Sequence, residues 1–349
     1  MIRRAAAAVL CLALVLCLSG FSPAPKRYQA EFFGLFDTVT TLVGYAPDRA
    51  SFTALAQKTQ DLLREYHELY DIFNTYHGVA NLKTVNDTAA RAPVQVDPRI
   101  IDLIEFSRAL YEETGSAVNI AMGAVLRIWH EARLRGVDNP AGAAVPDMDV
   151  LRRAAEHTNL DDVIVDREQS TVYFADPYLR LDVGAVAKGF AVEQVARRLE
   201  EAGVKNLLIS VGGNVRAIGG KPDGAREIPW AVSVRNPNGT EDLCTVNVFS
   251  SSVVTSGGYI RRFTVAGEEY HHIISPETLM PSRHFLGVTV RCRDSGLADA
   301  LSTALFNLPW EAGCALSAKM PEVEVLWVFP DGNIRTTAGF FAVETGAAV

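Results

Sequence analysis

Five short stretches of the chain concentrate residues that can handle a phosphate or a metal ion. LDVGAVAKGF (Leu181–Phe190) leaves an apolar run on Asp182, turns at Gly184 and carries Lys188 into the first turn of a helix. Free amides and the helix dipole at such a start attract anions, so a lysine there is electrostatically misplaced unless an anion or Asp182 compensates it. The residues alone leave two readings open. Either Lys188 and the amides face a phosphate-bearing ligand, or Lys188 points to solvent while Gly184 and Gly189 let the helix pack closely on a sheet. SGLADALSTALFNLP puts Leu297, Leu301, Leu305 and Leu308 on one helical face and leaves Asp299 and Thr303 one turn apart on another. A carboxylate and a hydroxyl at that spacing are hard oxygen ligands of the kind Mg²⁺ takes. The plainer alternative is an aspartate matched to the helix dipole in the first turn, beside an incidental threonine.

The other three stretches are weaker by themselves. SVGGNVRAIGG (Ser210–Gly220) places a double glycine after a buried strand, which permits a tight turn or close approach of backbone to a ligand. It matches neither dinucleotide-binding nor P-loop spacing. VVTSGGYIRRF repeats the theme, with Thr255 and Ser256 supplying hydroxyls before Gly257 and Gly258. HHIISPETLMP holds two of the seven histidines, and strand alternation predicts that at most one of His271 and His272 faces a site. The lack of HExxH and of a His/Cys cluster argues against zinc chemistry. A histidine of near-neutral pKa can act as a general base or be a hydrogen-bonded structural residue.

These stretches need elements to hold them. The spacing predicts a helix from Asp48 to Asp71 and a second from Asp97 to Thr114, started by Pro98 and stopped by Gly115. A third helix lies within 116–135, a loop covers 136–149, and further helices run roughly Ala185–Ala202 and Leu297–Leu308. Short β-rich runs fill the second half: TVYF, YLRLDV, LLISV, WAVSVR, CTVNVF, RFTVA, YHHIIS, FLGVTVRC and VEVLWVF. Strands that mostly neighbour strands, with inserted helices, predict an α+β fold around a mixed or antiparallel sheet.

A net charge of −8 and the lack of any basic run argue against a nucleic-acid partner. Residues 1–24 read as a signal peptide or N-terminal membrane anchor, with Arg3 and Arg4 before an uncharged 17-residue run from Ala5 to Phe21. The protein is therefore expected to act outside the cytoplasm. Cys17 raises the question of a lipid anchor, although Leu16 stands where a small residue is normal. Three later cysteines, Cys244, Cys292 and Cys314, make no disulfide framework, so the fold must rest on its core.

In order and spacing, the set resembles the ApbE family of FAD:protein FMN transferases. Asp182, Gly184, Ala187, Lys188, Gly189, Phe190 and Ala191 match its D-x-G-x-x-A-K-G-[YF]-A turn. Val211–Asn214, Thr255–Tyr259, His272–Thr278 and Ala298–Ala304 match its following motifs, and similarity runs from about residue 30 to 345. Three departures stand out: Ser275 for the usual Asp, and Asn119 and Ala121 for the more frequent Asp and Thr. The resemblance implies one ApbE-type domain over 25–349, with a possible lobe division near 136–149. Its fold would be T-fold-like, a mixed, largely antiparallel sheet core with packed helices. It implies Mg²⁺ as cofactor and FAD as substrate, with FMN passed to a Thr or Ser hydroxyl of a membrane-bound or exported redox protein and AMP released. Carried over by position, Asp299, Thr303 and the carbonyls of Ala185 and Ser302 would hold the metal. Phe36, Tyr76, Asn119, Ile120, Ala121, Asp182, Lys188 and Ile273 would line the FAD site. Lys188 would neutralise charge, and His272 would take the hydroxyl proton. The same site could serve a Mg²⁺-dependent FAD pyrophosphatase, and an exported flavin-binding protein without turnover is the reading from another class.

Overall fold

The computed structural model describes residues 24–342. The apolar run 5–21, and with it the signal or anchor expectation, lies outside the described residues. No helix among those described is long and apolar enough to cross a membrane.

The centre is an eight-stranded sheet whose spatial order follows the chain. Its strands are β1 (Lys26–Leu35), β2 (Thr38–Ala46), β3 (Leu207–Val211), β4 (Asn214–Ile218), β5 (Ser252–Gly257), β6 (Gly287–Cys292), β7 (Glu324–Val328) and β8 (Ile334–Thr336). Every neighbouring pair is antiparallel, so the predicted α+β class with a largely antiparallel sheet holds. Gly212 and Gly213 form the two-residue turn joining β3 to β4, with φ of 56° and 89°, a hairpin geometry that asks for glycine.

The helices are α1 (Arg49–Tyr70), α2 (Leu82–Thr88), α3 (Pro98–Glu113), α4 (Gly123–Asp138), α5 (Met148–Ala155), α6 (Ala187–Glu201), α7 (Ser295–Asn307) and α8 (Trp310–Ser317). Those of the two larger core clusters pack on one sheet face, whereas α4 and α5 pack on each other and on the hairpin Arg262–Val265/Glu268–His271. Helix α1 starts where the Asp48 carboxylate accepts the Ser51 amide, and buries Phe52, Ala56, Leu63, Tyr66 and Leu69 at helical spacing. Helix α7 packs its leucines with Val254, Val288, Val290 and Trp327 of the sheet. The other sheet face is closed by the hairpin Trp230–Arg235/Asp242–Val248, whose Trp230, Val232 and Val246 meet Ala217, Val253 and Leu326. The loop expected over 136–149 is shorter, because α4 continues to Asp138 and α5 begins at Met148.

Two runs read as strands are not. Around YLRLDV only Arg180 makes a bridge, to Met122. The buried Asn86 amide replaces a neighbouring strand by binding both the N–H (2.7 Å) and the carbonyl (2.9 Å) of Leu181. The strand of YHHIIS ends at His271, so strict alternation does not govern His272.

A buried ion pair ties the site's two helices together. Glu193 of α6 binds Arg216 of β4 at 3.0 Å and accepts the Ser295 amide at the start of α7 at 2.9 Å. Glu193 also pairs with Arg197 one turn along α6, at 3.0 Å. Glu193 and Arg216 are both shielded from water, and such a pair holds because each charge has its partner.

Candidate active site

Lys188 stands on the second residue of α6, and its Nζ lies 3.3 Å from each carboxylate oxygen of Asp299 on α7. The expectation that Asp182 might compensate Lys188 is thus corrected: Asp299 is its partner. Asp299 is the fifth residue of α7 and turns toward α6, so it is not a first-turn dipole match. Its Oδ2 accepts the Gly189 amide at 2.8 Å, the amide that helical spacing would give to the Ala185 carbonyl.

Gly189 permits this approach. A Cβ there would sit 2.3 Å from Asp299 Cβ and 2.4 Å from the Ser295 carbonyl oxygen. Gly189→Ala is therefore expected to cost about 1–3 kcal/mol as the helices are forced apart. A chemical-unfolding curve checks it, and wild-type stability in the variant would mean that the helices yield freely.

Hydroxyls complete the corner. Ser302 Oγ donates to the Asp299 carbonyl at 2.8 Å, and Ser256 Oγ lies 2.7 Å from Ser302 Oγ and 3.2 Å from Thr303 Oγ1. With the Ser302 proton committed, Ser256 donates to Ser302 and Thr303 donates to Ser256. That order leaves the lone pairs of Thr303 Oγ1 free to bind a cation. Among the described residues no group of three or more His, Cys, Asp or Glu could hold a metal. The candidate donors would instead be one carboxylate, one hydroxyl and the Ala185 carbonyl, all hard oxygens. This set fits Mg²⁺, which keeps waters and takes phosphate oxygens for the rest of its shell.

The remaining candidates fall into three groups. Asp182 is anchored by its own amide on the Ile120 carbonyl (2.8 Å) and by the Gly184 amide on its Oδ1 (2.9 Å). Burial holds its carboxyl above the ordinary carboxylate range, against the pull of the Gly184 bond, His130 and Arg261. Phe36 and Tyr76 both meet His67: the Phe36 amide reaches Nδ1 at 3.2 Å, and Tyr76 Oη lies 3.3 Å from Nε2. Tyr76 also donates to Asp71 at 2.8 Å, and Asp71 binds the Phe73 amide, which leads to a Phe73–His130 stack beside Asp182. Asn119 binds the Thr158 carbonyl and the Ala121 amide, while the Ile120, Ala121 and Ile273 side chains are buried in the core. Those three can offer a ligand only backbone.

His272 is exposed by surface area, yet burial lowers its pKa from the ordinary 6.5 to about 3, helped by Arg261, His271 and Lys188. Both observations hold for a ring that is wet on one side and bordered by protein and cations on the other. His271 is occupied elsewhere, with Nε2 2.8 Å from the Ser282 carbonyl. Gly258 lies beneath it, where a Cβ would meet the His271 ring at 2.4 Å.

The match to a family model decides what these residues belong to: residues 36–327 fit the model of the ApbE family. The chain belongs to the ApbE family. Among curated ApbE relatives, the FAD:protein FMN transferase of Treponema pallidum is 36% identical over 271 residues, covering 74% of this chain and 73% of that protein. One of Klebsiella pneumoniae is 29% identical and covers 80% and 84%. The crystal structure of the ApbE protein of Thermotoga maritima superposes with a TM-score of 0.77 at 28% identity, covering 91% of this chain and all of that one. The apo flavinyl transferase ApbE of Pseudomonas stutzeri shares the fold, with a TM-score of 0.73 at 22% identity.

Sequence reasoning about this ApbE member passed over three residues at the cleft. Ser256 was legible as a hydroxyl beside flexible backbone, but not as a neighbour of Thr303. His130 and Arg261 carry no local signal. They reach Asp182 because the hairpin Arg262–Val265/Glu268–His271 packs its Phe263 and Tyr270 on Trp129 of α4.

Proposed function

We propose that the protein transfers FMN from FAD to a Thr or Ser hydroxyl of a target protein, in a Mg²⁺-dependent reaction that releases AMP. The observation that carries this reading is the convergence of Lys188, Asp299 and Thr303 where α6 meets α7. Bound there, Mg²⁺ would supply charge neutralisation for the pyrophosphate. Asp299, Thr303 and the Ala185 carbonyl would hold it. Lys188, one rotamer change away from Asp299, would turn its ammonium onto a phosphate oxygen. The acceptor hydroxyl oxygen forms the new bond to the FMN phosphorus as the bond to the adenylate oxygen breaks, and its proton passes to the imidazole of His272. His272 is neutral at physiological pH and so able to accept a proton, and an arriving pyrophosphate would offset the cations that add to the larger effect of burial on its pKa.

Action outside the cytoplasmic membrane, on membrane-bound or exported redox subunits, belongs to the same proposal. The charged start and apolar run of residues 3–21 support it. Incubation of the protein with FAD, Mg²⁺ and a Thr-containing acceptor domain tests the reaction. Covalently fluorescent acceptor and an equal amount of AMP are expected. Free FMN without labelled acceptor would make the protein a pyrophosphatase, and unchanged FAD would make it a binding protein.

A further inference from the structure

The two edges of the central sheet are finished differently. At one edge β8 has only three residues, Ile334–Thr336. At the other, β1 runs for ten, Lys26–Leu35, with no proline inside it and a single register shift near its far end, between Phe33 and Leu35. A long edge of this kind carries a row of unpaired N–H and C=O groups that readily take up another strand. The phase of the ladder shows which groups those are. Tyr45 donates its amide to the Asn206 carbonyl and the Val39 carbonyl accepts from Gly212, so the odd-numbered residues of β2 turn toward β3. Their even-numbered neighbours bond β1 through Lys26, Tyr28, Ala30 and Phe32. Arg27, Gln29 and Glu31 therefore hold their N–H and C=O out at the free edge.

The side chains of that edge say what fits it. Tyr28 stacks on Phe52 of α1, with ring centroids 5.5 Å apart, so the exposed Arg27, Gln29 and Glu31 lie on the opposite sheet face. A recess of about 390 Å³ separates this stretch from Arg49, Thr53 and Ala56 of α1 and leaves room beside the edge. The Arg27 guanidinium reaches Gln29 Oε1 at 3.5 Å, and Gln29 Nε2 donates to Glu31 at 2.9 Å. Neither Arg27 nor Glu31 joins an ion pair among the described residues. An antiparallel copy of β1, laid with Gln29 opposite Gln29, sets each Arg27 against the partner's Glu31 on one face. The same register opposes residues whose N–H and C=O both point outward, so each such pair can exchange two backbone bonds. Sliding the copy by two residues toward Phe33 sets Arg27 against Phe33 and loses the match. A two-fold interface must be self-complementary, and an arginine and a glutamate equally far from the axis meet that condition.

We propose that β1 pairs with the β1 of a second copy of this chain, joining two eight-stranded sheets across a two-fold axis at Gln29. Phe36 lies beyond the paired stretch, so the pairing leaves both sites free to work. The inference stands apart from the proposed function and does not depend on it.

Sedimentation of the full chain in detergent, with the bound detergent density-matched, tests it. Wild type should be a dimer that dissociates on dilution. Arg27→Glu and Glu31→Arg each turn two cross-strand attractions into two repulsions, so each should weaken dimerisation about tenfold to a hundredfold. The double variant Arg27→Glu/Glu31→Arg should restore it. Gln29→Pro should abolish it, because the N–H it removes faces the partner and not β2, while circular dichroism stays as in wild type. If Gln29→Pro fails to fold, the charge swap still decides. A wild type that is monomeric at every concentration would overturn the proposal. So would a dimer that both single variants leave within twofold of wild type, which would put the contact on another face or on the apolar run. A double variant no better than the single ones would overturn it as well. Acceptor labelling lost from Gln29→Pro, with a monomeric wild type, would give the edge to the acceptor instead.

Discussion

Asp299→Ala is expected to lower transfer by on the order of a thousandfold, the scale set by removing an electrostatic stabiliser from a reacting centre. Three losses coincide in that variant: the only carboxylate among the proposed metal donors, the partner of Lys188, and the acceptor of the Gly189 amide. Asp299→Asn separates them. Its amide oxygen can still accept from Gly189, so α6 and α7 should stay in register, yet its charge is gone. Both variants should need far more Mg²⁺ for residual activity, and the asparagine form should melt close to wild type. Labelling rates across a Mg²⁺ titration, beside melting curves, provide the check. If Asp299→Ala worked within tenfold of wild type at saturating Mg²⁺, the metal would have to lie elsewhere.

His272→Ala should cost a factor of about 10² to 10⁴, the usual contribution of a positioned general base. The pH dependence carries the sharper test. Because burial first, and then Arg261, His271 and Lys188, lower the His272 pKa to about 3, the free protein keeps this imidazole neutral through the range where an ordinary histidine gains its proton. The rate should therefore show no acid limb near pH 6.5 from His272. An unfolded chain takes up a proton at His272 below about pH 6.5, while the folded one does not until near pH 3. Folded-state stability should accordingly fall as pH drops below 6.5, and His272→Gln should flatten that fall. Labelling rates and urea midpoints between pH 5 and 8 measure both. An acid limb centred on 6.5 that disappears in the variant would show an ordinary, well-solvated histidine and remove the basis of the argument.

Much of the sheet-and-helix frame was legible because its signals are local. Asp48, Asp97 and Gly203 punctuate helices, and the runs at 207, 230, 244, 287 and 324 alternate or stay apolar as strands do. The failures share a cause. Leu181 looks like strand but is bound by the side chain of Asn86, 95 residues away, which no periodicity reveals. His271 and His272 looked like strand neighbours until the chain left the sheet between them. The N-terminal hairpin, α2 and α8 went unassigned, since β1 is an edge strand with Phe33 exposed and the two helices are short. At the site, residue types and i,i+4 spacing singled out Asp299, Thr303 and Lys188. That Lys188 meets Asp299, and that Ser256 meets Thr303, are contacts across 111 and 47 residues of chain.

The Lys188–Asp299 contact spans 111 residues of chain, and β3, β4, β5 and β6 all lie in between. Closing a loop of that length is slow compared with forming either helix. The site thus depends on tertiary assembly and not on either helix alone. A half-folded chain presents a lysine on one helix and a carboxylate on another, each inert alone, so it would neither capture FAD nor cleave it. Flavin handling becomes a report that assembly is complete.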